Sequence, residues 1–585
     1  MNSSIAITGS GIISAIGCNK DMVLQSLRNK CTGIGSMKYL ESIHNHLPVG
    51  EVKCSNSELK RKLGIDESKI ISRNVLLGTT AAKEALLDSR IGGLSSKKVV
   101  FISGTTVGGM DLTETLYSDM LRDDKYLSYL NSHDCGSSSN EIIRLCGISA
   151  EVCTISTACS SSLNAIILGA EMLKRGEADV VIAGGCESLS KFHFNGFNSL
   201  MILDKEQCRP FDATRAGINL GEGAAYIVLE RAEDAEKRNA IIQGYISGYG
   251  NRCDAFHQTA TSEIGEGPYL AMLQALTSSE LSEVSISYIN AHGTGTVNND
   301  QSESFALKRI FGNNIPKISS TKGFTGHTTS ASGSIEVVIC LLAMSHNFIP
   351  ANIGWENPMS DGVIPSMGEE NILLENVLCN SFGFGGNCSS LILSKNSSMT
   401  KCTPVKHKWE VVSEVEINDS SDLSKIKEFV PMMEARRMGK LLKAATIASQ
   451  QALQIAGIKK PDAIITATAL GMLETSEKFL RAMLNDGESS LSPTLFMQST
   501  HNTIGSSIAI RSKCNGYNIT YTQGNDSFDL AMHDAIRLIE TGEAKSVLVG
   551  SYDESTPNYD NFLKRLHQPE RKSVYSKCLI LSVAD

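Results

Sequence analysis

Short, almost wholly apolar segments rich in β-branched residues recur along the chain and alternate with segments of helical periodicity. They lie at residues 5–8, 99–103, 152–155, 180–183, 288–290 and 391–393. A strand with one face in water alternates polar and apolar residues, whereas a strand that is apolar throughout must be covered on both faces. The pattern therefore predicts an α/β protein in which helices cover both faces of the sheets.

The charge balance and the cysteine pattern exclude several classes of function. The 585-residue chain has 54 Lys and Arg against 63 Asp and Glu, a net charge of -9, so no overall basic field attracts nucleic acid. Its 16 cysteines are irregularly spaced without a Cys-x-x-Cys pair, which argues against a disulfide framework or a metal site and favours the cytoplasm. The sequence shows no basic, apolar leader and no window of about 18 apolar residues, so we expect neither a signal peptide nor a membrane span.

An internal repeat links the two ends of the chain. The segment KRGEAD at 174–179 returns as ETGEAK at 540–545, and aligning Gly176 with Gly542 gives an offset of 366 residues. Residues 75–86 are echoed at a similar offset by residues 442–453. The last ~180 residues therefore form a predicted second copy of roughly residues 70–190.

A nucleophile is suggested by residues 154–165, TISTACSSSLNA. A predicted buried strand is followed by small residues and then by a helix that begins near Ser160. Cys159 therefore lies at the turn between strand and helix. A thiol at a helix N-terminus lies near the positive end of the dipole, which favours thiolate and lowers the pKa, as a covalent nucleophile requires. The alternative is an inert buried cysteine that acts as a small hydrophobe.

Three further segments change the balance between these alternatives. His292 directly follows an apolar strand in YINAHGTGT, and Lys322 and His327 share the loop ISSTKGFTGH. The loop NSFGFGGN at 380–387 is too rich in glycine for packing alone, and its N–H groups are suited to an oxyanion hole. Each histidine alone is typical of a structural residue, whereas the set in this order indicates one reactive site.

The first 396 residues resemble the elongating Cys-His-His type of β-ketoacyl-acyl carrier protein synthases, members of the thiolase superfamily. The resemblance includes ITGSGIIS at 7–14, RPFD at 209–212 and LGEGA at 220–224. It implies a thiolase-like layered αβαβα fold with duplicated mixed sheets. The N-terminal half is expected at about 1–240 and the C-terminal half at about 241–396, with a Ser/Thr/Pro-containing linker at 397–405.

The resemblance also implies roles for individual residues. Cys159 corresponds to the acylated nucleophile, and His292 and His327 to the pair that serves decarboxylation. Lys322 corresponds to the buried lysine that orders the site, with Glu336 as its carboxylate partner. Thiolases use a second cysteine and initiating condensing enzymes use Cys-His-Asn, so the second histidine favours decarboxylative elongation.

The resemblance implies that the substrates are acyl and malonyl thioesters carried on the phosphopantetheine of an acyl carrier protein, and that no other cofactor is needed. It also implies which residues bind these substrates. The N–H groups of Cys159 and Phe384 are expected to stabilise the oxyanion, and the Phe384 ring to gate the acyl pocket. Thr294 and Thr296 resemble the hydroxyls that hold the pantetheine arm. Val107 occupies the position that influences room for the acyl chain.

Carrier docking requires local positive charge, because the carrier is acidic in this family and the chain itself is negative. Lys60, Arg61 and Lys62 form a basic run where the family often contacts its carrier, and Arg209 is a second candidate. The alternative for the basic run is a solvated helix face.

The C-terminal copy, residues 406–585, is predicted to be inactive. With the offset of 366 residues, Asn525 occupies the position in this copy that corresponds to Cys159. The amide side chain of asparagine cannot form an acyl-enzyme. The copy resembles the N-terminal-like half of ketosynthase chain-length factors, partly through MQSTHNTIGS at 497–506, whose His501 we interpret as structural. We expect this copy to dock on its own chain as a pseudo-heterodimer; the alternative is a homodimer of catalytic domains.

The predicted function is decarboxylative Claisen condensation of a malonyl-carrier with a carrier-bound acyl chain. The inactive copy favours a polyketide or aryl-polyene pathway over housekeeping fatty-acid elongation. One alternative is a malonyl-carrier decarboxylase or starter-loading enzyme, and another is a noncatalytic carrier-docking scaffold. Product chain length distinguishes the first alternative, and binding without turnover would support the second.

Overall fold

The computed structural model describes residues 4–397, 406–418 and 420–584, so the predicted linker at 397–405 lies outside the described residues except for residue 397. The strands of the described residues are β1 (Ile5–Ser14), β2 (Val99–Gly104), β3 (Glu151–Ile155), β4 (Val180–Glu187), β5 (Gly223–Arg231), β6 (Gly244–Cys253), β7 (Tyr288–Asn290), β8 (Lys317–Ser319), β9 (Phe348–Ile349), β10 (Glu369–Glu370), β11 (Asn376–Phe382), β12 (Asn387–Ser394), β13 (Trp409–Ile417), β14 (Ala463–Ala467), β15 (Tyr517–Tyr521), β16 (Ser546–Glu554) and β17 (Val574–Val583).

The helices alternate with these strands along most of the chain. They are α1 (Lys20–Arg28), α2 (Asn56–Leu63), α3 (Arg73–Ser89), α4 (Met110–Met120), α5 (Cys135–Cys146), α6 (Ser161–Lys174), α7 (Lys191–Ser199), α8 (Ala232–Lys237), α9 (Glu266–Ser279), α10 (Val297–Phe311), α11 (Lys322–Thr325), α12 (Ser332–His346), α13 (Met432–Ala435), α14 (Lys440–Ala456), α15 (Leu473–Asp486), α16 (Pro493–Met497), α17 (Thr503–Ser512), α18 (Ser527–Glu540) and α19 (Pro557–Arg565).

One mixed sheet of fifteen strands runs through the described part of the chain, and only β9 and β10 pair outside it. Its order is β13-β17-β16-β14-β15-β3-β2-β4-β5-β1-β6-β12-β11-β7-β8. The inner strands β2, β4 and β5 are buried along nearly their whole length, as their apolar sequences predict. Helices lie on both faces, which confirms the predicted thiolase-like α/β fold. The sheets that were expected to be duplicated are joined into one through the pairing of β1 with β6.

Helices α6 and α12 form the central layer between the two halves of the catalytic unit. Both are apolar around most of their circumference, which is typical of a helix packed on all sides. Within the described residues, the segment Thr329–His346 is the one stretch long and apolar enough to cross a membrane, and 89% of it is buried in the protein. It is therefore accounted for as a core helix.

The repeat seen in the sequence is present in the structure and is longer than predicted. Strand β15 begins 366 residues after β3 and α18 begins 366 residues after α6, as the offset requires. In addition, the order β13-β17-β16-β14-β15 matches the order β1-β5-β4-β2-β3. The C-terminal unit thus repeats a complete five-stranded layer, and its edge strands escaped the sequence comparison because their spacing along the chain differs.

The two copies of this layer meet edge to edge in the sheet. Strand β15 pairs antiparallel with β3 through Tyr521 and Ile155. The Ser156 N–H donates to the Thr520 carbonyl at 2.9 Å, and the Thr522 N–H donates to the Thr154 carbonyl at 2.8 Å. The strand that leads to Cys159 is therefore held on one side by the C-terminal unit.

Candidate active site

The predicted nucleophile Cys159 lies in the turn between β3 and α6, and 5% of it is exposed. Ala158, immediately before it, has φ of 52°, a left-handed conformation that is strained for a residue with a side chain. The Ser161 hydroxyl accepts from the Thr157 N–H at 2.8 Å, and the Ser381 hydroxyl donates to the Cys159 carbonyl at 2.9 Å. These bonds hold the strained turn so that the sulfur points away from the sheet edge into a cavity.

The Cys159 thiol is not acidified in the resting protein. Burial raises its pKa to about 11, although the N–H of Phe384, the charge of Lys322 and its own N–H oppose the rise. The prediction of a lowered pKa from the helix N-terminus is therefore wrong, because loss of solvation outweighs the local dipoles. The sulfur rests as a neutral thiol.

His292 and His327 converge on the Cys159 sulfur. His327 Nε2 lies 3.1 Å from Cys159 Sγ, and the two rings are 5.3 Å apart and nearly perpendicular. One ligand atom from each of the three residues falls within 4.8 Å of the others. Burial lowers the pKa of both histidines well below the usual value, and the nearby Lys322 charge lowers it further. Both imidazoles are therefore neutral at physiological pH.

The proton of each neutral ring is free to occupy Nε2. Among the described residues, neither Nδ1 has a hydrogen-bond partner that would hold the proton there. The site thus contains two uncharged N–H donors beside a thiol, in surroundings that exclude water. Such donors stabilise a developing oxyanion more strongly than they would in solvent.

Lys322 and Glu336 form a buried ion pair beneath the histidines. Lys322 Nζ donates to the His292 carbonyl and to Glu336 Oε1, each at 2.5 Å. Both side chains are at most 3% exposed. Burial raises the pKa of Glu336, and the positive charge of Lys322 opposes that rise. The pair links the His292 loop to α12.

Phe384 lines the cavity beside Cys159. Its ring stacks on Phe197 with 5.5 Å between centroids, and its N–H is directed at the Cys159 sulfur. A side chain at Gly383 would lie only 2.8 Å from the Thr157 carbonyl, so glycine permits this loop to approach the nucleophile turn. The N–H groups of Phe384 and Cys159 therefore both face the same reacting centre.

A cavity of about 280 Å³ opens in front of these groups. Thr294 and Thr296 line it, and their hydroxyls lie 2.9 Å from each other. Phe197, Phe384 and Ile202 supply apolar walls. The cavity thus joins a polar entrance, suited to an amide-containing arm, to an apolar interior.

The remaining predicted positions lie outside the cavity. Val107 is buried in an apolar cluster with Phe197 and Phe496. Lys60 donates to the Glu67 carbonyl at 2.8 Å and lines a separate surface cavity of about 670 Å³. Neither residue lines the cavity in front of Cys159.

The other basic candidates are on the surface or already paired. Arg61 is exposed, and Lys62, which is also exposed, donates to Cys54 Sγ at 3.5 Å. Arg209 pairs with Asp204 and Glu206, the latter at 2.8 Å, so acidic neighbours offset its charge.

A buried carboxylate that the sequence analysis did not identify supports His292. Glu303 on α10 accepts from the N–H groups of His292 at 2.9 Å and Gly293 at 2.8 Å, and from Asn380 Nδ2 at 3.2 Å. Burial raises the pKa of Glu303 to about 7. Glu303 lies in the polar first half of α10, VNNDQSES, so nothing in that segment distinguishes it from an ordinary solvated helix position.

The C-terminal unit has no nucleophile at the equivalent turn. Asn525 is exposed there. His501 is buried, with Nδ1 3.2 Å from the Thr106 carbonyl and Nε2 3.6 Å from Cys135 Sγ. Burial lowers the pKa of His501 to about 4, so it is neutral and packs within the junction between the units, as its structural interpretation predicts.

Three family matches cover most of the chain. The N-terminal domain of β-ketoacyl synthases matches residues 2–235, and the C-terminal domain of the same synthases matches residues 243–356. A second β-ketoacyl synthase N-terminal domain matches residues 407–583.

Solved structures share this architecture. A protein titled PfaC Keto synthase-Chain length factor has a TM-score of 0.76 over 99% of this chain and 78% of its own, at 16% identity, which shows the shared fold. The ishigamide ketosynthase/chain length factor has a TM-score of 0.61 at 28% identity, over 68% of this chain and 100% of its own. The ketosynthase ApeO in complex with its chain length factor ApeC, from Xenorhabdus doucetiae, has a TM-score of 0.56 at 30% identity, over 67% of this chain and 98% of its own.

Curated relatives are similar to the catalytic unit over nearly their whole length. The 3-oxoacyl-[acyl-carrier-protein] synthase 2 of Vibrio cholerae is 30% identical over 410 residues, which is 67% of this chain and 99% of that protein. The synthase 2 of Synechocystis is 32% identical, over 67% of this chain and 98% of its own. This chain therefore belongs to the β-ketoacyl synthase family and is an acyltransferase of the 3-oxoacyl-[acyl-carrier-protein] synthase class.

Proposed function

We propose that the protein elongates a carrier-bound acyl chain by decarboxylative condensation with a malonyl-carrier on Cys159. The observation that carries this proposal is the cluster of one thiol and two neutral imidazoles within 4.8 Å. It lies in a cavity of about 280 Å³ that has a polar entrance and an apolar interior. This arrangement supplies a nucleophile for acyl transfer and two donors for an enolate.

The first step is acyl transfer. Cys159 Sγ attacks the thioester carbonyl, and the N–H groups of Cys159 and Phe384 stabilise the oxyanion. For this step the His327 ring carries its own proton on Nδ1, so Nε2, at 3.1 Å from Cys159 Sγ, accepts the thiol proton and passes it to the departing pantetheine sulfur. The ring proton then returns to Nε2 before the second step. The carbon–sulfur bond to pantetheine breaks as the bond to Cys159 forms, and His327 ends the step neutral.

The second step joins two acyl groups. The malonyl thioester oxygen accepts hydrogen bonds from Nε2–H of His292 and His327 while its carboxylate leaves as CO2. The enolate carbon then attacks the acyl carbonyl on Cys159, and the cysteine sulfur departs and takes a proton from solvent. Because both rings are neutral, they donate hydrogen bonds without repelling each other or Lys322.

The C-terminal unit is proposed to act as an inactive partner within the same chain. Its pairing of β15 with β3 and its five-stranded layer support this arrangement, in which it occupies the place of a second catalytic unit. It also contributes Phe496 to the apolar cluster that contains Val107 and Phe197. A homodimer through the catalytic units would require the edge of β3 not to be occupied by β15.

A polyketide or aryl-polyene pathway in the cytoplasm is proposed over housekeeping fatty-acid elongation. Two structural relatives at 28% and 30% identity are titled as ketosynthases with a chain length factor, which supports a pathway that uses an inactive partner. All fifteen cysteines in the described residues are free thiols, which fits a reducing compartment.

Carrier docking is proposed at the basic run on α2 and at Arg209. Charge reversal at Arg61 or Lys62 is expected to raise KM for carrier-bound substrates and to leave turnover of a small N-acetylcysteamine thioester unchanged. Equal KM values for both substrate types would move the docking site elsewhere.

Intact-protein mass spectrometry tests the proposed function. The protein is incubated with short saturated, long saturated and aryl-polyenoyl carrier thioesters, and Cys159→Ala serves as the control. A mass gain equal to the acyl group, absent in the variant, is expected, and the best donor identifies the pathway. No adduct with any donor would contradict the proposal and favour a decarboxylase or a docking scaffold.

A further inference from the structure

Asn502, a residue of the inactive C-terminal unit, contacts the gate loop of the catalytic unit directly. Its side-chain Nδ2 donates to the Phe384 carbonyl and to Asn387 Oδ1, each at 2.9 Å. Only 1% of the residue is exposed. The two bonds bracket the loop 383–387, whose Phe384 N–H faces the Cys159 sulfur.

The orientation of Asn502 is unusual for its place in the fold. It is the N-cap of α17, where an asparagine oxygen ordinarily accepts from an N–H of its own helix. Here the side chain makes no such bond. Among the described residues, Asn502 Oδ1 is buried without a hydrogen-bond partner. The Asn502 side chain therefore does not cap its own helix, and its amide N–H group donates to the catalytic unit instead.

The loop is shaped to receive this helix. Gly385 has φ of 85°, and a side chain there would collide with Ser506 on α17. On its other side, the Gly385 N–H donates to the Gln258 carbonyl at 2.7 Å. The gate loop 383–387 therefore lies between the Gln258 segment of the catalytic unit and the first turns of α17.

A chain of buried asparagines extends the contact to the nucleophile turn. Asn387 Nδ2 donates to the Asn518 carbonyl at 3.1 Å, and the Asn518 N–H donates to Asn251 Oδ1 at 3.0 Å. Asn251 Nδ2 then donates to Asn164 Oδ1, and Asn164 Nδ2 to Thr157 Oγ1, each at 2.9 Å. The C-terminal unit is thus linked to both segments that supply oxyanion donors.

We infer that Asn502 is a positioning residue through which the inactive unit completes the oxyanion hole of the catalytic unit. It fixes the Phe384 carbonyl, so the Phe384 N–H points at the thioester oxygen and the Phe384 ring lies in the gate position. The inference rests on the proposed function, since it concerns acyl transfer to Cys159. It assigns the C-terminal unit a role in the chemistry besides the walls of the pocket.

Two substitutions separate positioning from packing. Asn502→Ala removes the donor, and Asn502→Asp keeps the shape but turns a carboxylate oxygen toward the Phe384 carbonyl. If the residue positions the loop, the Asp variant is the more impaired of the two; if it only fills space, the isosteric Asp variant is the milder. Asn558→Ala is the matched control, because Asn558 Nδ2 donates across the same junction to Tyr117 Oη at 3.2 Å, away from the gate.

Two rates are measured on the full-length protein by intact mass. One is acylation of Cys159 by an acyl-carrier thioester, and the other is its alkylation by iodoacetamide, a displacement that develops no oxyanion on a carbonyl. Loss of an oxyanion-hole donor costs about 100-fold to 1000-fold, so a displaced donor is expected to cost about 10-fold to 100-fold in acylation. Alkylation is expected to slow less than acylation in the Asn502 variants, because a displaced Phe384 N–H no longer favours the thiolate but no carbonyl oxyanion loses a donor. Asn558→Ala is expected to react normally in both assays.

Hydrogen exchange of peptides spanning 380–390 tests the contact without any substrate. Faster exchange is expected in both Asn502 variants and unchanged exchange in Asn558→Ala. Normal acylation and exchange in the Asn502 variants would overturn the inference while the proposed function stands. Absence of acylation in the wild type would refute the proposed function, and the inference with it.

Discussion

Phe496 of the C-terminal unit backs the aromatic wall of the acyl cavity, so Phe496→Ala is expected to let the enzyme accept longer acyl chains. The ring lies edge-on to Phe197 with 5.3 Å between centroids, and Phe197 in turn stacks on Phe384. A side chain at Gly196 would collide with Phe496, which shows how closely α16 approaches α7. Removing the phenyl group allows Phe197 to move back and lengthens the pocket.

The size of the change in preference follows from burial of methylene groups. Each buried methylene contributes about 0.8 kcal/mol, and a vacated phenyl ring leaves room for about two or three of them. The longer acyl donor is thus favoured by about 1.6 to 2.4 kcal/mol, roughly 15-fold to 60-fold in relative acylation rate. The same substitution costs about 3 to 5 kcal/mol of stability as a cavity in the core.

Phe479→Ala is the matched control for this prediction. Phe479 is fully buried in the same cluster and packs on Phe192 at 4.9 Å and on Phe496 at 5.9 Å, without a ring contact to Phe197. Competition between short and long acyl-carrier thioesters, read by intact mass, measures the preference. An equal shift in both variants would refute the reasoning, since general loosening would then explain the effect.

Three further predictions concern the ionisable groups of the site. Because burial raises the pKa of Cys159 to about 11, its iodoacetamide alkylation rate is expected to rise about tenfold per pH unit between about pH 7 and pH 10, and a plateau below pH 8 would contradict this. Lys322→Met and Glu336→Gln are each expected to lower the free energy of unfolding, measured in urea, by about 3 to 5 kcal/mol, and the double variant to lower it by less than the sum of the two. Full additivity would show that the two side chains do not interact. Burial raises the pKa of Glu303 to about 7, so the folded state binds the Glu303 proton more tightly than the unfolded state does. The free energy of unfolding of the wild type is therefore expected to fall as pH rises from about 4.5 to 7, by up to about 1.4 kcal/mol per pH unit, and Glu303→Gln to remove this contribution. Urea midpoints of the two proteins that run parallel across this pH range would argue against it.

The residues that sequence analysis brought together are those marked by local signals. Cys159 and His292 each follow an apolar strand and precede small residues or glycine, so their positions at the sheet edge could be predicted from short segments. His327 and Lys322 were singled out on one loop, and Glu336 was added by the family resemblance. The structure puts His327 Nε2 3.1 Å from the Cys159 sulfur and Lys322 between the His292 carbonyl and Glu336.

What the sequence did not indicate depends on burial and on docking between distant segments. The raised pKa of Cys159 arises because the whole site excludes water, which outweighs the helix terminus visible in the sequence. Glu303 resembles a solvated helix residue until α10 is packed under the His292 loop. Asn502 looks like an ordinary helix cap, and its contact with Phe384 exists only once α17 lies against the gate loop.

The most direct test of condensation on Cys159 is a single-turnover reaction of the acylated protein with malonyl-carrier. CO2 release and the mass of the carrier-bound product are followed together, with His292→Ala and His327→Ala as comparisons. The account predicts one CO2 for each β-ketoacyl-carrier formed, loss of the acyl group from Cys159 in step with both, and marked slowing in either histidine variant. CO2 release with the acyl group still on Cys159 and no elongated product would contradict it.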